Sequence, residues 1–307
     1  MIDVVVVNWN AGNQLIDCVE SIDRHARELT SQIFVVDNAS TDNSWKFVED
    51  FPGVKLIHAG ENLGFGRACN LGARNSKAQY LLFLNPDAAL RENSLQRALK
   101  FMADPANSQV GICGVQLVDE SGHVARSCAR FPSAAAFSAH ALGLDRVFPA
   151  LGVHMTEWSH EEVRDVDHVI GAFFLVRRSL FDALHGFDER FFVYLEDVDF
   201  SRRAHLSGWH SVYLADVQAF HAGGGTSRQV KARRLFYSLR SRLLYACKHF
   251  SWPGAALVLF VTLALEPISR SVLALVRRSW TGFRETWTAY GLLWRWLPQW
   301  ALRGVTR

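Results

Sequence analysis

The sequence has only five cysteines, at 18, 69, 113, 128 and 247, and no two stand in a C-x-x-C spacing. An odd, scattered set excludes a disulfide framework and a structural zinc site, and reduced thiols in a cytoplasmic setting are expected. There is no G-x-x-x-x-G-K-[ST] loop, and no G-x-G-x-x-G follows the first apolar run. The usual phosphate cradles of ATPases and dinucleotide dehydrogenases are therefore missing. Internal repeats and Pro-rich or Gly/Ser-rich linkers are also lacking. Met1 leads into Ile2-Asp3-Val4-Val5-Val6-Val7 with no basic stretch before it. That run is too short for a signal peptide, so a buried opening strand is expected and export is not.

The chain has 307 residues, 49% of them hydrophobic and 12% aromatic. That content suits one large domain with an appendage, or two modest domains, and excludes a disordered chain. The net charge of +3 hides an asymmetry. Residues 228–307 carry 14 Lys/Arg against 2 Asp/Glu, a net +12, and the remainder carries 19 against 28, a net −9. The expected organisation is an acidic domain over residues 1–227 joined to a basic tail over 228–307, and a basic tail seeks a polyanion.

Through the first hundred residues, short apolar runs alternate with helix-like segments. Val4–Val7, Ile33–Val36, Val54–Ile57 and Tyr80–Leu84 read as strands, with helices near Gly12–Ala26, Asn43–Phe51, Gly66–Asn75 and Glu92–Met102. This alternation predicts an α/β fold with a mostly parallel sheet flanked by helices. Further on, Val110–Val118, His168–Val176, Ser211–Leu214 and Val217–Phe220 are strand candidates, Ser179–Leu184 and Asp197–Leu206 helix candidates. Phe131–Arg164 reads as a long excursion, of the kind that forms a mobile loop over a site.

Ligands of parallel sheets bind beyond the carboxyl ends of the strands. The residues there are Asn8-Trp9-Asn10, Asp37-Asn38-Ala39-Ser40-Thr41-Asp42, Glu61-Asn62-Leu63-Gly64-Phe65-Gly66 and Asn85-Pro86-Asp87. Asp37 either caps the following turn or accepts hydrogen bonds from a base or ribose. Asp87 either belongs to a plain Asn-Pro-Asp turn or is an oxygen ligand for a hard divalent cation. Glu196-Asp197-Val198-Asp199 crowds three carboxylates behind the aromatic run Phe191-Phe192-Val193-Tyr194. Crowding and desolvation raise a carboxylate pKa, which would make Asp197 a general base near neutrality. Asp199 has Arg203 at i+4 and is better read as structural. His221, before the glycine run that starts at Gly223, is a candidate metal ligand.

In order along the chain, these segments, with Gly171-Ala172-Phe173-Phe174-Leu175-Val176-Arg177-Arg178, Gly186-Phe187-Asp188-Glu189-Arg190-Phe191-Phe192 and His221-Ala222-Gly223-Gly224, resemble the inverting family-2 glycosyltransferases of GT-A fold. The bacterial rhamnosyltransferase-like branch is the nearest likeness, and it covers roughly Ile2 to Ser227. The resemblance implies a Rossmann-like mixed sheet with roles by position. Asn8, Trp9 and Asp37 would hold the nucleobase, and Asn62 and Gly64 would line the nucleotide pocket. Asn85 and Asp87 stand at the D-x-D position, with Asn where the pattern begins with Asp. Asp87 and His221 would bind Mg²⁺ or Mn²⁺, and Asp197, paired with Glu196, would be the catalytic base. The branch implies dTDP-L-rhamnose as donor, with UDP-sugars next. A sugar-1-phosphate nucleotidyltransferase would need a basic loop after strand one, which Asn8–Gly12 does not offer, and a non-catalytic binding relative would not need the Glu196–Asp197 pair.

The uncharged stretch Phe250–Leu265, closed by Glu266-Pro267, falls short of the ~20 residues a spanning helix needs. Six of the ten tryptophans lie in the tail among arginines. Trp and Arg together suit helices lying at a lipid interface, whereas nucleic acid would not require so much apolar surface. A membrane-associated tail at the cytoplasmic face of the inner membrane, peripheral or monotopic, is expected, with a glycan or polyprenyl-diphosphate-linked acceptor. The alternative is a helical subdomain or an oligomer interface.

Overall fold

The computed structural model describes residues 1–223 and 231–306. These form two compact units: residues 1–130, 158–189 and 196–223 in the first, and 131–157, 190–195 and 231–306 in the second.

The first unit is built on a nine-stranded sheet. Its strands are β1 (Ile2–Asn8), β2 (Thr30–Asp37), β3 (Val54–His58), β4 (Tyr80–Leu84), β5 (Ala88–Leu90), β6 (Val110–Val118), β8 (Arg164–Val166), β10 (Phe173–Arg177) and β11 (His210–His221). Two further short strands, β7 (Cys128–Ala129) and β9 (His168–Val169), pair separately. The order is β3-β2-β1-β4-β10-β6-β11-β5, with β8 also against β11. β3, β2, β1 and β4 run parallel, while β10 is antiparallel to both its neighbours. The sheet is therefore mixed and mostly parallel.

Every position of β1 is buried, as expected for a strand covered on both faces. Ile2, Val4 and Val6 join the main core with α1 (Gln14–Ala26) and α3 (Ser94–Ala103). Helix α1 contributes Leu15, Cys18, Val19, Ile22 and Ala26, a single apolar stripe at helical spacing. On the opposite face α2 (Phe65–Ala73) lies so close that a Cβ on Gly72 would stand 2.5 Å from Val5 Cγ1. α5 (Arg178–Ala183) and α6 (Glu196–Leu206) complete the unit.

Three local expectations need correction. The segment 168–176 is not one strand: β9 and β10 are separated at Ile170–Ala172, where a backbone N–H turns to a side chain. Phe131–Arg164 does not form one long loop. It contains α4 (Ala134–Leu142), capped by Ser133 and ended by Gly143 at φ 74, and residues up to 157 belong to the second unit. Asn43–Phe51 holds only a 3₁₀ turn, Ser44–Phe47.

The second unit adds α7 (Lys231–His249), α8 (Trp252–Phe260), α9 (Glu266–Val276) and α10 (Trp280–Arg303). The apolar run does not stop at Glu266-Pro267. A π turn at Val261–Leu265 joins α8 to α9, and Pro267 falls in the first turn of α9, where proline is tolerated. Glu266 is buried because Arg242 and Arg270 both bind it. Trp252–Val276 is thus one helical stretch of 25 residues, long and apolar enough to cross a membrane, with only 28% of its most apolar window buried. Trp252, Phe260, Ile268, Val272 and Val276 are exposed along it.

Candidate active site

The carboxyl ends of β1 and β2 are paired so that Asn8 stands opposite Asp37. Asn8 is fully buried, and its amide donates to Asp37 Oδ1 (3.0 Å), Ser40 Oγ (3.1 Å) and Ser44 Oγ (2.9 Å). It therefore fastens the Asp37–Ser44 loop. Asn10 Oδ1 accepts from the Thr41 N–H (2.6 Å), and Trp9 between them is half-buried. Asn38 ties this loop to the next. Its Oδ1 accepts from the Leu63 N–H (2.7 Å), and its amide donates to Asn62 Oδ1 (3.1 Å), which also accepts from the Gly64 N–H (3.0 Å). Asp37, Asn62 and Gly64, distant in sequence, share one hydrogen-bonded rim.

The Asn85-Pro86-Asp87 turn is anchored twice. The Asn85 N–H donates to the Ala172 carbonyl (3.1 Å), and the Ala88 N–H closes the turn on the Asn85 carbonyl (3.0 Å). β5 then pairs antiparallel with the end of β11, setting Ala88 opposite His221. The Ala222 N–H donates to the Asp87 carbonyl (3.0 Å), and His221 Nε2 lies 3.4 Å from Asp87 Oδ1. Both side chains are 12% exposed. A carboxylate oxygen and an imidazole nitrogen are acceptable ligands for Mn²⁺ or Mg²⁺. Among the described residues no group of three or more His, Cys, Asp or Glu gathers around a point. The pair therefore fits a cation shared with phosphate oxygens rather than an all-protein cage. Most of the glycine run after His221, Gly224–Ser227, lies outside the described residues.

Helix α6 begins with the acidic cluster, entered by Tyr194 and Leu195, two consecutive non-glycine residues at positive φ (69° and 66°). Its three carboxylates have three environments. Asp199 is fully buried and accepts from Arg203 Nε (2.8 Å), while Arg203 also donates to the Leu184 and Gly186 carbonyls, so this pair is structural. Glu196 is buried and its Oε2 has no hydrogen-bond partner. Burial, then the neighbouring Asp197 charge, pushes the Glu196 carboxyl well above its ordinary range.

Asp197 is different. Its Oδ2 accepts from the Gly171 N–H (3.0 Å) and lies 3.5 Å from His168 Nε2. Burial pushes this carboxyl up as well, but the His168 ring and the Val198 and Gly171 N–H groups outweigh it and hold the group below the usual carboxylate range. Crowding therefore raises Glu196 and not Asp197. Of the aromatic run before the helix, Phe192 stacks on Tyr237 and Lys248 lies over Phe191, all in the second unit. Glycine is needed where the acids approach the backbone. A Cβ on Gly171 would stand 3.1 Å from Asp197 Oδ2, and one on Gly66 would meet Phe187 and Glu196 at 3.2 and 3.4 Å.

One backbone segment links the two acidic sites: the Gly171 N–H binds Asp197, and the adjacent Ala172 carbonyl binds the Asn85 N–H. Sequence reading missed His168, Asn38, Ser40 and Ser44. Asn38 and Ser40 lie within a motif already noted, but nothing local marks His168.

A parallel half-sheet carrying a polar rim after its first strands, an acid turn after β4 and an acidic helix start beyond an antiparallel strand defines the GT-A class of glycosyltransferase. The chain belongs to glycosyl transferase family 2, whose sequence model matches residues 3–184. It is 30% identical over 275 residues to the N-acetylglucosaminyl-diphospho-decaprenol L-rhamnosyltransferase of Mycobacterium tuberculosis (strain ATCC 25618 / H37Rv), covering 84% of this chain and 88% of that one. It is 24% identical to the rhamnosyltransferase WbbL of Escherichia coli (strain K12), covering 81% and 93%. Among solved structures it superposes on the mannosyltransferase PcManGT from Pyrobaculum calidifontis, in complex with GDP-Man and Mn²⁺, with a TM-score of 0.56, 18% identity and 95% and 86% of the two chains covered. S. aureus TarS 1-349 in complex with UDP-GlcNAc gives a TM-score of 0.57 at 14% identity, covering 93% and 79%. At these identities the structural likeness is one of fold.

Proposed function

We propose that this glycosyltransferase moves L-rhamnose from dTDP-L-rhamnose to a hydroxyl of a polyprenyl-diphosphate-linked saccharide at the cytoplasmic face of a membrane, with inversion at the anomeric carbon, in the synthesis of a bacterial cell-surface polysaccharide. Asp37 and Trp9 hold the nucleoside, on a loop kept in place by Asn8, and Asn62 and Gly64 close the rim. Asn85 and Asp87 face the diphosphate, where a divalent cation held by Asp87 and His221 would neutralise the departing charge. Asp197 accepts the proton of the acceptor hydroxyl, whose oxygen attacks the anomeric carbon from the face opposite the leaving group. Glu196, buried and neutral, keeps a second negative charge away from that base.

The observation that carries this reading is the backbone link through Gly171 and Ala172, which ties the Asp197 carboxylate to the Asn85-Pro86-Asp87 turn. The names of the two rhamnosyltransferase relatives support the sugar, and the first supports the lipid-linked acceptor. The exposed apolar stretch Trp252–Val276 and the basic tail support membrane attachment.

Release of nucleoside diphosphate from dTDP-L-rhamnose and from a panel of UDP-sugars, with and without a polyprenyl-linked acceptor, tests the reading. dTDP-L-rhamnose should be turned over and should raise the melting temperature. Turnover confined to a UDP-sugar would replace the donor. Stabilisation by a donor without turnover would leave a non-catalytic nucleotide-sugar-binding relative, and neither effect with any donor would overturn the reading.

A further inference from the structure

The second unit contains a cavity of about 300 Å³ walled by α7, α9, the start of α10 and the turn that follows α4. Four of its lining residues are cations, Arg146, Lys231, Arg270 and Arg277, and one is a carboxylate, Glu285. Arg270 shares a single carboxylate with Arg242: its Nε donates to Glu266 Oε1 at 2.8 Å, and Arg242 binds the other oxygen, so the trio keeps one net positive charge. Among the described residues, Arg146, Lys231 and Arg277 make no ion pair, so the cavity wall, with four cations against Glu285, keeps an excess of positive charge. The amino end of α10 opens on the same space, with Ser279 and Gly282 in its wall. The positive end of a 24-residue helix adds to the attraction for an anion.

The surroundings are apolar. Arg277 directly follows the exposed Val276, Ile268 and Val272 are exposed on the same helix, and the exposed Trp280 opens α10. A compact cationic cavity bordered by exposed aliphatic and Trp side chains suits an anionic head whose tail enters lipid. Nucleic acid would call for an extended basic stripe instead. An excess of more than one positive charge suits the double negative charge of a diphosphate bridging two alkyl groups better than the single charge of a phospholipid phosphodiester.

We propose that this cavity binds the diphosphate group of the lipid-linked acceptor, seating the polyprenyl chain against the apolar face of Trp252–Val276. The inference rests on the reading of the acceptor as a polyprenyl-diphosphate-linked saccharide and locates the part of the chain that holds it.

The test uses the full chain and phosphatidylcholine vesicles doped either with a long-chain polyprenyl diphosphate or with phosphatidylglycerol at matched surface charge. The wild-type chain should bind the diphosphate vesicles about tenfold more tightly, and inorganic diphosphate should compete. The double substitution Arg146→Ala with Arg277→Ala should abolish that preference. The milder pair Lys231→Gln with Arg277→Gln should do the same, and Arg278→Ala, at an exposed arginine outside the cavity, should leave it unchanged. Equal binding to both vesicle types overturns the proposal in favour of a general anionic-lipid surface, and so does a preference that survives both double substitutions. Donor turnover is measured separately, with the polyprenyl-linked acceptor present. Its absence with every donor removes the proposed enzyme activity, while the vesicle preference is read independently.

Discussion

His168 Nε2 stands 3.5 Å from Asp197 Oδ2, and the other nitrogen of the His168 ring is hydrogen-bonded to Ser201 Oγ at 3.0 Å. Ser201 lies one turn beyond Asp197 on α6, so the imidazole is held at two points on that helix. A base must be ionised to work, and this contact helps hold Asp197 below the ordinary carboxylate range.

Replacing His168 by Phe should therefore raise the Asp197 pKa and move the acid limb of kcat/KM to higher pH, with kcat falling about ten- to a hundredfold through lost orientation. A pH–rate profile checks this. A lower rate with the acid limb unmoved would leave His168 a purely structural role.

Asp197→Asn keeps the shape of the side chain and removes its basicity. Transfer should fall by about 10²–10⁴-fold while donor binding, measured by calorimetry, stays within about twofold. Near-normal turnover in this variant would disqualify Asp197 as the base.

Asp87→Ala and His221→Ala should each weaken donor binding about tenfold or more in the presence of Mn²⁺, and chelation should erase the difference from wild type. Donor titrations with and without chelator read this directly. Affinity that does not respond to the cation in the wild type would remove both residues from metal binding.

Glu196→Gln should stabilise the fold at neutral and alkaline pH. The folded chain keeps a proton on Glu196 that the unfolded chain loses above about pH 4.5, the ordinary glutamate value. Stability therefore falls as pH rises through the window from there to the raised folded value. Glutamine cannot ionise, so the denaturation midpoint of the variant should exceed that of wild type at about pH 8 and converge with it at about pH 4. An equal midpoint at both pH values would show that Glu196 ionises freely in the fold.

Phe260→Ser with Val272→Ser, both at exposed positions of the apolar stretch, should shift the chain toward the soluble fraction of a cell lysate by several-fold. Unchanged membrane fractionation, together with unchanged melting, would point to a different attachment surface.

The α/β alternation was legible because parallel strands buried on both faces must be continuous apolar runs, as Val4–Val7 and Tyr80–Leu84 are. The polar residues ending those runs were legible as a possible site for the same reason. Strand β5 escaped notice because three residues carry no period, yet it is the pairing that draws Asp87 to His221. The run Phe250–Leu265 was read as too short because Glu266-Pro267 looks like a stop. Arg242 and Arg270, one of them on another helix, neutralise Glu266 and let the helical stretch continue.

By itself the sequence determined which segments become strands and helices, since local periodicity and turn chemistry act over a few residues. It also supplied the acids at their ends. Only the tertiary structure decided what each acid is. Asp197 and Glu196 are neighbours with the same functional group, yet one is held ionised by His168 and Gly171 while the other is buried with an unpaired oxygen. The ionisation of a carboxyl group depends on burial and on charges and donors within a few ångströms, and those partners arrive from strands and turns remote in the chain.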